Sequence, residues 1–214
     1  MQEPIPTMDD LSAWIASLPP DWTAGCRETV FVRAHEAYAS PGRHYHTWRH
    51  VLDCVEKLGS MPCDEPRAVF LALVFHDAVY AAGHEDNEAK SAELASLVLR
   101  EHATLAVGEV ERIEAMILAT KTHAPPPEAS RDLCVALDID MSILGAPPER
   151  YEAYVEGVRL EYMPAVVTAE QFAEGRAGFL ARLLELPAIF STPEARGRWE
   201  GAARANIARE LEML

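Results

Sequence analysis

The amino-acid sequence predicts an all-α protein. Apolar residues recur at helical spacing in nearly every segment between the proline clusters, and the alternating runs typical of strands are missing. The chain has 214 residues, of which 49% are hydrophobic and 25% charged, so it can bury a sizeable core. Nothing in the composition marks a boundary between two domains. We therefore expect one helical domain over residues 1–214, with the candidate site in about 40–145 and C-terminal helices in about 148–214 packed on it.

Prolines, glycines and capping residues delimit the first predicted helices. One helix starts near Thr7–Asp10, where threonine and aspartate can cap it, and ends at Pro19–Pro20. A second covers about Cys26–Ala39 and stops before a Pro-Gly pair. The stretch that follows Pro41–Gly42 and runs through Arg49 and His50 forms a third predicted helix, which ends at Gly59.

An apolar run marks the predicted centre of the fold. The segment AVFLALVFHDAVY, which follows Arg67, is apolar almost all round, and on a helix this indicates burial on every side. Helices should follow over Asn87–Ala103, which has a good helix-forming composition, and over Val107–Thr122, which three prolines terminate. The later segments show the same period, with prolines or glycines at their joints: about Ser130–Leu144, Pro148–Tyr162, Ala169–Leu184 and Pro193–Leu214.

Charge and cysteine content limit the classes of partner and compartment. The net charge of −15 and pI near 4.9 disfavour long nucleic acids and anionic membrane surfaces. A small anionic substrate stays compatible, because a bound dication and local arginines can reverse the potential in a cleft. The four cysteines form no Cys-x-x-Cys pair, and Met1–Asp10 does not resemble an export signal. No apolar run approaches the roughly 18–20 residues of a membrane span. We expect reduced thiols and a cytoplasmic protein.

The pair His76–Asp77 ends the apolar run and carries the strongest chemical signal. A buried carboxylate beside an imidazole costs several kcal/mol unless a partner compensates for it, and a metal ion is an efficient partner. A buried His–Asp hydrogen bond, or an ordinary pair at a helix end, explains the doublet equally well. The doublet alone therefore leaves both interpretations open.

A second cluster lies in RHYHTWRH. If this stretch is helical, His46 and His50 stand at i and i+4 on one face, about 5–6 Å apart at Cβ, which is a spacing that two-histidine metal sites use. The alternative is a group of surface or interface histidines in a loop, and we favour this for His44. Trp48 lies between the other two histidines. It could line their pocket or belong to the core.

A third element is LDIDMSILG, where Asp138 and Asp140 stand among apolar residues. Acids in such surroundings usually need a cation or hydrogen-bond donors. Two positions apart on a helix they point in different directions, so only one can join a given site. We expect the other to cap a helix or to hold a ligating histidine.

The order His50, then His76–Asp77, then a late aspartate followed by Met-Ser-Ile-Leu resembles the HD superfamily of metal-dependent phosphohydrolases, which are all-helical. Further strings are similar to one bacterial branch of predicted HD-type phosphohydrolases: YHTWRHV, FHDAVY with NEAKSA, LDIDMSILGAPPERYEAYVEGVRLEY and WEGAARANIARELE. The resemblance spans roughly residues 40–214. It implies that His50, rather than His46, is the first ligand. It also favours Asp140 as the last ligand, with Asp138 as the fallback.

The implied ligand set predicts the chemistry. Two imidazoles and two carboxylates suit one divalent ion such as Mn²⁺, Fe²⁺, Co²⁺, Ni²⁺, Zn²⁺ or Mg²⁺, with positions left for water and substrate. Such an ion acidifies bound water and stabilises charge on phosphate oxygens. We therefore expect hydrolysis of a phosphate ester, of a nucleotide or another small phosphorylated metabolite. Asp77 would both touch the ion and orient the water.

Residues outside the ligand set are weaker candidates. Glu88 could act as general base or position the water, or it could be an ordinary solvated glutamate. Arg49, Lys121 and Arg159 could hold phosphate, although each of these residues is more often a solvated or salt-bridged surface residue.

Additional histidines bear on the number of metal ions. Some HD proteins bind a second metal through histidines between the doublet and the last aspartate. Here the candidates are His84, His102 and His123, and the sequence around the first two does not favour ligation. We therefore predict a mononuclear site, with His46 and His123 contacting substrate.

Two other functions stay open. Some HD relatives are di-iron oxygenases and others are hydratases, although a di-iron enzyme needs about six ligands. The third alternative is a non-catalytic module that binds a metal and a nucleotide.

Overall fold

The computed structural model describes residues 23–103 and 105–214. Within these ranges the chain is all-α and contains no strand, which confirms the predicted fold class. The first predicted helix, between Thr7 and Pro20, lies outside the described residues. The main α-helices, in chain order, are α1 (Ala24–Tyr38), α2 (Trp48–Leu58), α3 (Pro66–Phe75), α4 (Asn87–His102), α5 (Val107–Ala119), α6 (Arg131–Asp140), α7 (Pro148–Tyr162), α8 (Ala169–Glu185) and α9 (Gly201–Leu211).

The observed helices differ from the predicted ones mainly at two joints. After α6 the chain tightens into a 3₁₀ segment, Met141–Gly145. The predicted C-terminal helix is divided into a single α-helical turn over Pro193–Ala195, a π-helical segment over Arg196–Glu200, and α9. Hydrophobic period alone does not separate these helix types, since a π segment changes the register by a fraction of a turn.

Helix α3 forms the centre of the core, as its apolar sequence predicts. Every residue from Ala68 to Phe75 is buried, and α2, α4, α5 and α6 all pack against this helix. Helix α2 is amphipathic and turns one face inward, including Val51, Val55 and Leu58. Because α2 and α6 both contact α3, the start of α2 and the ends of α3 and α6 can meet in one region.

Trp48 belongs to this core. Its side chain is buried and packs edge-on against the rings of Phe31, His35 and Tyr38, at centroid distances of 5.4, 5.1 and 5.5 Å. It therefore holds α1 against α2 as part of the core. No helix in the described ranges combines the length and the apolar character that a bilayer-spanning segment needs.

Gly145 provides a test of the packing between the 3₁₀ segment and the C-terminal region. A Cβ atom there would lie 2.6 Å from Cβ and 2.8 Å from the carbonyl oxygen of Trp199. We expect Gly145→Ala to lower the free energy of unfolding by about 1–3 kcal/mol, because the opposing backbone would have to move. Gly201→Ala is the control, since a Cβ there meets nothing within 4 Å and alanine favours a helix. Urea denaturation measures both, and equal stability of the two variants would contradict this packing.

Candidate metal centre

Four side chains converge from three separate regions of the chain. His50 lies in the first turn of α2, and Asp140 is the last residue of α6. His76 and Asp77 directly follow α3. Donor atoms of His50, His76 and Asp77 form one group that could hold a metal ion, and those of His50, Asp140 and Cys54 form a second group that shares His50. We call His50, His76, Asp77 and Asp140 together the His/Asp cluster.

The donor atoms of this cluster lie at short mutual distances. The Nε2 atoms of His50 and His76 are 3.1 Å apart. Oδ1 of Asp140 lies 3.0 Å from the first of these nitrogens and 3.4 Å from the second. Oδ2 of Asp77 lies 3.0 Å from Nε2 of His76 and 3.8 Å from Nε2 of His50. Donors about 2.1 Å from one ion would stand about 3.0 Å apart in an octahedron and about 3.4 Å apart in a tetrahedron. The spacing therefore fits a single dication.

A hydrogen bond orients the His76 ring for ligation. Nδ1 of His76 lies 2.8 Å from the carbonyl oxygen of Leu73, one turn back in α3. Because a carbonyl oxygen only accepts, Nδ1 must carry a proton, so Nε2 is the ring nitrogen that faces the cluster and is available as the ligand atom. This is the usual arrangement around ligating histidines. The sequence places the ring by ending an otherwise apolar helix with one polar residue.

The carboxylates of the cluster keep their negative charge. Burial by itself would raise the pKa of Asp77, but His76 and His46 beside it lower the pKa below its ordinary value. Burial likewise opposes ionisation of Asp140, and His76, together with hydrogen bonds from His123 and His50, lowers its pKa. Burial lowers the pKa of His50, which favours the neutral imidazole that a metal requires. Anionic carboxylates and a neutral His50 are forms that bind cations. Burial would lower the pKa of His76, but Asp77 and Asp140 raise it above its ordinary value, so a cation would have to displace a proton from this ring.

The cluster forms part of the wall of a cavity of about 520 Å³. The side chains of Asp77 and Asp140 line this cavity, whereas His50 and His76 are almost completely buried, with 4% and 2% of their surface exposed. An ion held by these residues would therefore face the cavity on the carboxylate side. Its remaining coordination positions would be open to water and to a substrate.

The predicted substrate residues divide into two groups. His46, Glu88, Lys121 and His123 line the cavity. Arg49 and Arg159 are not among the residues that line it.

Ion pairs on their own helices explain why the two arginines point elsewhere. Nε of Arg49 lies 3.3 Å from Asp53, one turn later in α2. Arg159 makes hydrogen bonds of 2.6 and 2.7 Å with Glu156, one turn earlier in α7. Arg49 is exposed and Arg159 is half-buried. We do not include either arginine among the proposed phosphate contacts.

The additional histidines occupy different positions. Nε2 of His123 lies 2.8 Å from Oδ2 of Asp140, the oxygen that does not face His50. His84 also lines the cavity, although the sequence around it does not favour ligation. His102 lies at the end of α4, 3.5 Å from Glu101, and is not among the residues that line the cavity. His123 thus holds the second oxygen of the Asp140 carboxylate and helps to fix the orientation of this group.

Asp138 is separated from the cluster. Its two oxygens accept hydrogen bonds from the backbone N–H groups of Ser191 and Thr192, both at 2.7 Å, and from the Thr192 hydroxyl at 2.6 Å. It therefore anchors the loop before the C-terminal helical region. This is the capping role that the sequence leaves to one of the two aspartates, and Asp140 is the one that joins the histidines.

Glu161 is the most important residue that the sequence analysis missed. Its Oε1 accepts hydrogen bonds from three successive backbone N–H groups, those of His44, Tyr45 and His46, at 2.7, 2.8 and 2.9 Å. Its Oε2 lies 2.6 Å from Nδ1 of His46 and accepts from the Tyr80 hydroxyl at 3.1 Å. Burial alone would raise the pKa of Glu161, but these donors lower it to about 2.

This glutamate fixes the segment that carries His46. The segment precedes α2, so His46 is not on a helix with His50, contrary to the conditional prediction. A signal for Glu161 was present in the sequence, because Tyr151, Tyr154 and Glu161 fall on the buried face of α7 at helical spacing. An acid on an apolar face usually has fixed partners.

Arg43 is a second missed residue. Its guanidinium donates to the carbonyl oxygens of His46, Asp77 and Ala78, at 2.7, 2.8 and 2.8 Å. It also lies over the ring of Tyr38, 4.9 Å from the centroid. Arg43 therefore ties the His46 segment to the His76–Asp77 turn. Nothing in the sequence distinguishes this arginine from a surface arginine, since its partners are backbone atoms.

Protein-family models and curated proteins give no independent guide to this site. No protein-family model and no curated protein matches the chain. The site is therefore characterised by its own geometry: two imidazoles and two carboxylates that converge on one wall of a cavity.

Proposed function

We propose that this protein is a metal-dependent hydrolase of small phosphate esters, of the HD type. The observation that carries the proposal is the convergence of His50, His76, Asp77 and Asp140, with donor distances of 3.0 to 3.8 Å, beside a cavity. The order of these residues along the chain, and the helices that hold them, agree with the resemblance of the sequence to HD phosphohydrolases. A buried His–Asp hydrogen bond, or a group of surface histidines, would not explain why donor atoms of four residues lie so close together.

The bound dication would supply a Lewis acid that acidifies water and neutralises charge on the phosphate. The protein supplies the positioning. Asp77 reaches both the cluster and the cavity, so its carboxylate can orient the attacking water. Glu88, at the start of α4, lines the same cavity and is our candidate for accepting a proton from that water.

His46 and Lys121 are the proposed phosphate contacts. Glu161 holds Nδ1 of His46, and the ring stacks on Tyr80 at a centroid distance of 4.2 Å, so its orientation is fixed. The ammonium group of Lys121 donates to the carbonyl oxygen of Glu85 at 2.5 Å, which keeps it at the cavity wall. Both groups can donate hydrogen bonds to phosphate oxygens.

A dinuclear HD-type oxygenase is the second candidate. It is favoured by one observation, namely that His84 and His123 both line the cavity that contains Asp77 and Asp140. We prefer one ion, because Nε2 of His123 is directed at Asp140 at a distance of 2.8 Å. A dinuclear oxygenase would contain two irons per chain and consume oxygen.

The direct test combines elemental analysis with a screen for phosphate release. We expect about one divalent ion per chain, and hydrolysis of small phosphate esters that stops on chelation and returns when one of Mn²⁺, Fe²⁺, Co²⁺, Ni²⁺, Zn²⁺ or Mg²⁺ is added. A fully metallated protein that binds nucleotides without releasing phosphate would instead indicate a binding module. Two irons with oxygen consumption would indicate the second candidate.

A further inference from the structure

The cavity has a wall that metal binding does not require. Helices α7 and α8 contribute no donor atom to the cluster, yet they line the cavity with Val158, Tyr162, Phe172 and Phe179. We call these four residues the α7–α8 wall. The cavity volume of about 520 Å³ lies within the range of roughly 300–1,000 Å³ that holds drug-sized ligands. A single phosphate group would leave most of this space unfilled, so the wall is available to the organic part of a substrate.

The cavity offers little positive charge for more than one phosphate. The cations among its described lining residues are Lys121 and Arg176, apart from histidines. Nε of Arg176 lies 2.8 Å from Glu210, and Nη1 donates to the Tyr154 hydroxyl at 2.8 Å. The charge of Arg176 is therefore balanced by Glu210, which is not among the residues that line the cavity. The two carboxylates of Asp77 and Asp140 would likewise balance the charge of a bound dication. Among the described lining residues other than histidines, Lys121 is then the cation without a balancing acid, and Glu88 adds a negative charge to the same cavity.

From these two features we propose a substrate class, which rests on the proposed function. The substrates are phosphate monoesters with a single phosphate group and a flat aromatic body, of which nucleoside monophosphates are the available example. The phosphate lies at the His/Asp cluster and the aromatic body lies against the α7–α8 wall. Nucleoside triphosphates are disfavoured because their additional charges lack partners. Small polar esters are disfavoured because they leave the apolar wall in contact with water.

Three substrates with related leaving groups separate the effect of the aromatic base from the effect of additional phosphate groups. AMP and ribose 5-phosphate both release a primary alcohol of ribose and differ in the base, whereas ATP adds two phosphates to AMP. With metal-loaded protein we expect kcat/KM for AMP to exceed that for ribose 5-phosphate by roughly 5- to 100-fold, the range that base–aromatic stacking provides. We expect ATP to react more slowly than AMP.

A pair of glycines in α8 provides matched variants. Gly175 lines the cavity, and a Cβ there meets nothing within 4 Å, so Gly175→Leu would place a side chain in the cavity without a backbone clash. Gly178 is three residues later in the same helix and is not among the lining residues; a Cβ there meets only the end of Arg182, at 3.6 Å. Leucine favours a helix over glycine at both positions, so both variants should fold.

We expect Gly175→Leu to reduce kcat/KM for AMP at least about fivefold and to narrow the ratio between AMP and ribose 5-phosphate. Gly178→Leu should retain the wild-type ratio. Calorimetric binding of adenosine, which has no phosphate to hydrolyse, should weaken in Gly175→Leu and not in Gly178→Leu.

The possible outcomes distinguish the two proposals. Equal kcat/KM for AMP and ribose 5-phosphate, a preference for ATP, or equal adenosine affinity in the two variants overturns the substrate class and leaves the hydrolase proposal intact. Absence of phosphate release from every ester by the metal-loaded protein overturns the hydrolase proposal and, with it, the substrate class.

Discussion

We expect Asp140→Asn to weaken metal binding by more than about 100-fold, whereas Asp138→Asn should leave metal affinity within a few fold of wild type. The loss of a partner of a ligating residue already costs 10- to 100-fold in affinity, and the loss of a ligand's charge should cost more. Only Asp140 places an oxygen 3.0 Å from Nε2 of His50. Calorimetric titration of the metal-free variants with Zn²⁺ or Mn²⁺ measures the effect, and phosphate release should fall in parallel.

The control variant has its own expected result. The carboxylate of Asp138 accepts three hydrogen bonds from Ser191 and Thr192, and asparagine would replace one acceptor oxygen with a donor. Asp138→Asn should therefore lower the free energy of unfolding by about 1–3 kcal/mol while metal still binds. If both variants lost metal to the same extent, the four-donor cluster would be the wrong description of the site.

The second large effect is expected at Glu161. We expect Glu161→Gln to lower the free energy of unfolding at pH 7 by about 3 kcal/mol, the value that corresponds to a pKa of about 2 in the folded protein against 4.5 for an unperturbed glutamate. Glutamine lacks the charge that five hydrogen bonds stabilise. Urea denaturation at neutral pH measures the loss.

The pH dependence gives this prediction a distinctive form. The pKa of Glu161 is lower in the folded protein than in the unfolded chain. At pH values between these two pKa values, the unfolded chain therefore binds more protons than the folded protein. The stabilisation is therefore complete above pH 4.5 and disappears as the pH falls through 4.5 towards 2. The difference between wild type and Glu161→Gln should shrink over this range. Glu156→Gln, in the exposed pair with Arg159 on the same helix, should not change stability at any of these pH values. A wild-type advantage that is constant with pH would contradict the role of Glu161.

The same carboxylate connects stability to the candidate site. Glu161 holds the backbone from His44 to His46, and Arg43 joins that segment to the carbonyl groups of Asp77 and Ala78. Such contacts fix side chains near a site more tightly than a loop alone could. The α7 helix therefore contributes to the site through Glu161, although it supplies no donor to the metal cluster.

The all-α fold, the central position of the helix before His76 and most helix ends could be predicted from the amino-acid sequence alone. Helical period and proline positions are local properties, and they survive folding because tertiary packing uses the same apolar faces. The sequence also supplied His50, His76, Asp77 and Asp140 as candidates, since acids and histidines in apolar surroundings need compensation wherever they occur.

Which polar groups face one another could not be predicted from the sequence, because it depends on tertiary packing. Tertiary packing separates Asp138 from Asp140, pairs Arg49 and Arg159 with acids on their own helices, and brings Glu161 and Arg43 to the segment that carries His46. Glu161 lies 115 residues from His46 along the chain. Direction and distance between such groups depend on how α2, α3, α6 and α7 pack. Because that packing is set by the whole core, no local pattern of residues encodes it.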